Sequence, residues 1–185
     1  MRAELYNASG AVIRSADFSD VQPRAQLTRM VNQFYGDSQI PAGAAYMKLS
    51  ASDKLMGFEL YWSMDGPFQF DGILGMEAGS TRHFFPLTRA GDSWTSYLRV
   101  TDLSGSATAV TVTAYSTAGA VVGTYTGNLP GNGQLKATTT AMFGGRENQI
   151  AWIYVSTQGE ALANYVYVSS DGARMGSYTA LPADK

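Results

Sequence analysis

The side chains of this 185-residue chain suited to acid–base chemistry near neutral pH are one histidine, His83, and a scatter of carboxylates. Cysteine is absent, which excludes a thiol nucleophile, a thiolate metal site and a disulfide framework. A lone histidine lacks the partners that a Ser-His-Asp triad or a zinc site needs. His83 stands beside Phe84 and Phe85 and reads as structural. Among the acids, Glu59, Asp65, Asp71 and Glu77 are the candidates for a glycosidase pair, which needs two carboxylates flanking the scissile bond. Asp17, Asp20, Asp65 and Asp71 are the candidates for calcium, which prefers oxygen ligands, but no Asp-x-Asp-x-Asp run gathers them. Segment 131–136 is glycine-rich like a phosphate loop, yet it lacks the Gly-Lys-Ser/Thr ending. Its Asn132-Gly133 pair is turn chemistry, and a turn is expected there. On these grounds no catalytic residue, metal site or cofactor is assigned, and the chain is expected not to be an enzyme.

Aromatic side chains are the remaining handle. Trp62, Trp94 and Trp152 come with a dense set of tyrosines, including Tyr46, Tyr61, Tyr154, Tyr165 and Tyr167. A flat exposed set could stack on sugar rings, since such side chains join a broad apolar face to a polar tip. Tyr165, Tyr167, Trp152 and Tyr154 are the ligand-binding candidates. Strand alternation sets Tyr165 and Tyr167 opposite Leu162, Val166 and Val168, which suggests exposed cross-strand neighbours. The same alternation groups Trp62 with Met56, Phe58 and Leu60, which reads as core.

The elements that must position these residues are strands. In 94–100, Trp94, Leu98 and Val100 alternate with Thr95, Tyr97 and Arg99. In 109–115, Val110, Val112 and Ala114 alternate with Thr111, Thr113 and Tyr115. Period two with β-branched and aromatic residues marks half-buried strands. Turn signals at 102–105, 117–119, 130–133 and 170–172 separate them. Strands are expected near 3–7, 11–17, 24–31, 44–50, 54–62 and 68–75. Further strands are expected near 82–87, 92–101, 107–116, 119–126, 133–140, 149–157, 160–168 and 174–180. Short helical turns are expected near 31–34 and 141–144.

The chain also repeats itself. Tyr6-Asn7-Ala8-Ser9-Gly10-Ala11-Val12 returns as Tyr115-Ser116-Thr117-Ala118-Gly119-Ala120-Val121. The offset is 109 (115 − 6) here, and it falls to 106 (152 − 46) where 46–66 follows 152–172. Repeats of this kind indicate related modules. In that alignment Glu59 falls on Tyr165 and Asp65 on the turn residue Asp171, which speaks against a carboxylate pair. Asn164 falls on Phe58, so either an amide sits at a module interface or the register slips by one residue. The second copy carries about 35 residues ahead of Tyr115 and the first only five ahead of Tyr6. The expectation is therefore two antiparallel β-sandwich modules in tandem, 1–78 lacking its opening strands and 79–185 complete. The missing strands would come from elsewhere in the chain, from another chain, or from upstream sequence.

Composition narrows the function classes. Net charge is −2 and only 15% of residues are charged, with no basic cluster for nucleic acid. No apolar run approaches the ~20 residues of a membrane-spanning helix. Met1-Arg2-Ala3-Glu4 leads straight into module sequence with no signal peptide, so a cytoplasmic protein or a piece of a secreted one is expected.

The second module reads Gly91, Trp94 and Leu98, then Val110 and Val112, Tyr115 and Gly119, then Leu129, Pro130 and Gly133. A strand at 152–155 and an aromatic strand ending in Asp171-Gly172 follow. This pattern resembles the Ig-like and fibronectin-type-III-like β-sandwich repeats of large secreted or surface proteins of bacteria. The resemblance implies a non-enzymatic extracellular spacer or adhesion module, partnered by neighbouring modules through strand or edge contact. It transfers no catalytic residue. A carbohydrate-binding module and a hydrolase-associated domain are the alternatives, with glycans as the partners of the former.

Overall fold

A computed structural model describes residues 1–19, 21–22, 25–63, 69–76, 78–86, 88, 91 and 93–183, with only the backbone of 61–63 and 69–70. The chain is all-β, with several antiparallel sheets and one short α-helix. β1 (Arg2–Asn7) and β2 (Val12–Asp17) form a hairpin, and β3 (Ala44–Ser50) pairs with the other edge of β1. β4 (Phe58–Ser63) and β5 (Gln69–Leu74) form a second hairpin. The remaining strands share one sheet: β6 (Ser80–Phe85), β7 (Trp94–Asp102), β8 (Thr108–Tyr115), β9 (Val121–Leu129), β10 (Gln134–Thr138), β11 (Trp152–Ser169), β12 (Met175–Thr179) and β13 (Leu181–Pro182).

β11 is the axis of that sheet. Expected as two strands, 149–157 and 160–168, it is one strand of 18 residues. Its first part pairs with β8 and β6, and its second part with β7 and β12. The register on β6 jumps between Ser156 and Ala161, around Gln158-Gly159. A bulge lets one strand bend and serve two differently directed sets of neighbours.

The hydrophobic cluster lies between these two sets. It joins Phe85, Val110, Val112, Ile153 and Val155 to Leu98, Val100, Ala163 and Tyr165, and every member falls between Phe85 and Ala180. The helix α1 (Thr139–Phe143) closes it with Met142 and Phe143. The Thr138 hydroxyl accepts the Ala141 amide at its start, and Gly144 in the left-handed region ends it. A 3-10 turn at Val31–Phe34 stands at the matching point of the first half, as expected.

The repeat is a repeat of geometry. The β1–β2 registers become the β8–β9 registers on adding 109, including the bulge at Tyr6↔Val12 and Tyr115↔Val121. The third strand follows: Tyr6↔Tyr46 in one copy and Tyr115↔Trp152 in the other. The two hairpin turns close alike, by Gly10 N–H to the Asn7 carbonyl and by Gly119 N–H to the Ser116 carbonyl. Both glycines are left-handed, at φ +86° and +78°, which is why both copies need Gly there.

Two sequence expectations fail for a physical reason. The strand expected at 24–31 does not form at 25–30. Its counterpart β10 exists because β7 offers it an edge, with Leu135 opposite Val100. Among the described residues, 25–30 has no such edge. The face of one strand is also inverted, and the expected core face of another is left exposed. Tyr165 lies opposite Leu98, and cross-strand partners share a face, so Tyr165 points into the cluster and is wholly buried. Met56, Phe58 and Leu60, expected in a core, are 95%, 59% and 45% exposed.

Candidate functional site

The outer face of β8, β11 and β6 carries an aromatic group. Strand alternation turns Val112, Ala114, Ile153 and Phe85 inward, and therefore turns Thr113, Tyr115, Trp152, Tyr154 and Phe84 outward. Tyr115 and Trp152 stack with ring centroids 3.8 Å apart and planes within 7°. Phe84 meets the other side of Trp152 edge-on at 5.3 Å. All four aromatics are half-buried, so part of each ring faces solvent. The tight stack fixes the rings and lowers the entropic cost of using them as a contact surface.

The equivalent pair in the first half is Tyr6 and Tyr46, stacked at 4.9 Å and 6°. This pair is covered. The Tyr46 hydroxyl donates to the Asn132 carbonyl at 2.6 Å, and the Gln134 amide donates to the Ala8 carbonyl at 3.0 Å. A Cβ added to Gly10 would overlap the Gly131 carbonyl oxygen, and one on Gly133 would sit 3.0 Å from the Ala8 oxygen. The hairpin turn of one copy therefore docks backbone to backbone on the 130–134 turn of the other. Burial and the neighbouring Tyr6 push the Tyr46 hydroxyl well above the usual tyrosine range.

Asp102 holds the receiving turn. It is fully buried, and its carboxylate accepts Ser104 Oγ at 2.7 Å, Asn132 N at 2.8 Å and Gly105 N at 3.0 Å. Buried carboxylates are tolerated where such charge-assisted bonds satisfy them. The order Asp102 to Asn132 to Tyr46 thus links the two halves. Sequence reading missed it because the Asp102 to Gly105 segment reads only as turn chemistry.

Of the four ligand candidates, the structure keeps Trp152 and Tyr154 on the outer face and removes Tyr165. Tyr165 packs against Phe85 and Tyr178, and its hydroxyl is pushed up to about 12 by burial, with the Ser96 hydroxyl bond opposing. Tyr167 is half-buried at the cluster's end, edge-on to Trp94 at 5.4 Å. Alternation with Leu162, Val166 and Val168 predicts both on the exposed side, and the pairing of Tyr165 with Leu98 reverses that. The β4–β5 hairpin runs beside β12, and Val166 on that side is only 5% exposed.

The remaining candidates disperse. His83 is 3% exposed on β6, on the side of Phe85. Glu59 is raised above the usual carboxylate range by desolvation, opposed by the Arg99 charge. Asp71, opposite Tyr61 on β5, accepts its neighbour's Gly72 amide, and Asp17 pairs with Arg2 at 3.1 Å. Asp20, Asp65 and Glu77 lie outside the described residues, as does the Trp62 side chain. Among the described residues no group of three metal-ligating side chains gathers, and no helix is long and apolar enough to cross a membrane. Among the described residues, open depressions of about 420 and 440 Å³ include one around Met1, Asp17 and Phe18 and one around Ala107, Asn128 and Pro130. Neither contains the aromatic group. Set against known proteins, the chain matches no family model, no curated protein and no solved structure.

Proposed function

We propose that the chain is a non-enzymatic structural and adhesive unit made of two related β-sandwich modules, 1–78 and 79–185, of the Ig-like or fibronectin-type-III-like kind. In this reading it serves in a secreted or cell-surface protein. The observation that carries it is the docking of one copy's hairpin turn on the other's 130–134 turn, between two copies that share registers, bulge and stacked pair. Modules that stack through a fixed joint transmit orientation and load along an array. The edges support the same reading. Among the described residues β11 is flanked by β8 and β6, whereas its counterpart β3 has β1 alone, and β4 has β5 alone. These edges fit strands supplied by a neighbouring module or another chain.

Force extension of the tethered chain tests this. Two separate unfolding steps are expected, the larger for 79–185, with no turnover of generic glycoside and ester substrates. A single step, or turnover lost on Glu59→Gln or Asp71→Asn, would overturn the proposal. The half-buried Tyr115–Trp152 stack, with part of each ring facing solvent, favours a second reading, a carbohydrate-binding module. Glycan-array signal abolished by Trp152→Ala would establish it, and an empty array would remove it.

A further inference from the structure

We infer that the Tyr115–Trp152 stack and the 116–120 turn form a vacant copy of the joint that the first half makes, and that its occupant is a 130–134-type turn carried by another module of this kind. The inference rests on the modular reading above. The filled joint has three parts: a stacked aromatic pair, a donor at its tip and a left-handed glycine beside an acceptor carbonyl. The second copy retains all three. Tyr115 and Trp152 stack. Trp152 replaces Tyr46 in register, and its indole N–H supplies a donor in place of the phenol O–H. Gly119 replaces Gly10 at the same φ, and the Thr117 carbonyl stands where Ala8 accepts Gln134. The difference lies in occupancy. A Cβ on Gly10 runs into the docked turn, whereas a Cβ on Gly119 meets nothing within 4 Å.

The chemistry of the occupant follows from the filled joint. It must present a carbonyl to the indole N–H and a following amide to the Thr117 oxygen. It must also carry glycine where the backbones touch, as Gly133 does beside the Ala8 oxygen. A Pro-Gly-Asn-Gly turn meets all three demands. A sugar could use the rings but has no reason to need the open Gly119.

The test uses the full chain, isotope-labelled, titrated with a cyclised hairpin peptide of sequence 127–136 whose cross-strand NOEs show that the turn has formed. Shifts are expected at the Trp152 indole, the Gly119 amide and Tyr115. Trp152→Phe keeps the stack and removes the donor, so affinity should fall about five- to tenfold, the worth of one hydrogen bond. Gly119→Ala should abolish binding, because its Cβ would stand where a Cβ on Gly10 meets the Gly131 oxygen. Absence of shifts at millimolar peptide, or unchanged affinity for Trp152→Phe and for Gly119→Ala, would overturn the inference. Either outcome leaves the two force-extension steps untouched, so failure of this joint is separable from failure of the modular reading.

Discussion

Replacing Gly10 and Gly119 by alanine, one at a time, separates the cost of a turn from the cost of a joint. Both residues sit in the left-handed region, at φ +86° and +78°, inside turns closed by the same hydrogen bonds. Each variant therefore loses about 1–2 kcal/mol for holding a Cβ at positive φ. Gly119→Ala should cost no more, because open space lies beyond. Gly10→Ala meets the Gly131 carbonyl, the Asn132 carbonyl carbon at 2.9 Å and the Gly133 nitrogen at 3.0 Å. These are backbone atoms and cannot swing aside as a side chain would. The turns must part, which releases the Gln134 to Ala8 and Tyr46 to Asn132 bonds. The loss of two net hydrogen bonds adds about 1–3 kcal/mol to the Gly10 variant alone. Urea unfolding of both proteins, with amide exchange at Gln134, measures the difference. Exchange at Gln134 should rise by about ten- to a hundredfold in Gly10→Ala and stay unchanged in Gly119→Ala. Equal destabilisation within about 0.5 kcal/mol, with Gln134 protected in both, would refute the docked joint.

Asp102→Asn should destabilise by about 2–4 kcal/mol in thermal unfolding, since its NH₂ faces the donors of Gly105, Ser104 or Asn132 in place of an acceptor. Stability should decline as pH rises from 10 to about 12, because the buried Tyr165 and the half-buried Tyr46 keep their protons while unfolded tyrosines lose theirs, and Tyr165→Phe should lessen that decline in pH-dependent denaturation. Phe58→Ser should change unfolding free energy by under about 0.5 kcal/mol and reduce binding of a hydrophobic dye, because this side chain is 59% exposed. Tyr165→Ala should cost about 3–5 kcal/mol by the same measurement, since a wholly buried ring leaves a cavity.

Local chemistry made much of the fold legible. Period two identified β7 and β8 and the correct inward residues of both, Leu98 and Val100, Val110 and Val112. Side chains alternate across a strand whatever its partners, and in these strands one phase is plainly apolar. The glycine turns located the hairpins, because only glycine holds their positive φ without strain. The repeat of Tyr6 to Val12 at Tyr115 to Val121 already encoded matching bulges and stacked pairs. Partners settled the rest. In β11 both phases are apolar, Tyr165 on one and Val166 on the other, so the sequence supplies a period without a direction. Pairing with Leu98 turned Tyr165 inward. Edges worked the same way: similar segments became β10 beside β7 and stayed out of the sheets at 25–30, because a strand needs an edge to satisfy its backbone. The joint itself was invisible in one dimension. Gly10 and Gly119 are the same residue in the same turn, and only the approach of the 130–134 turn made one of them a contact.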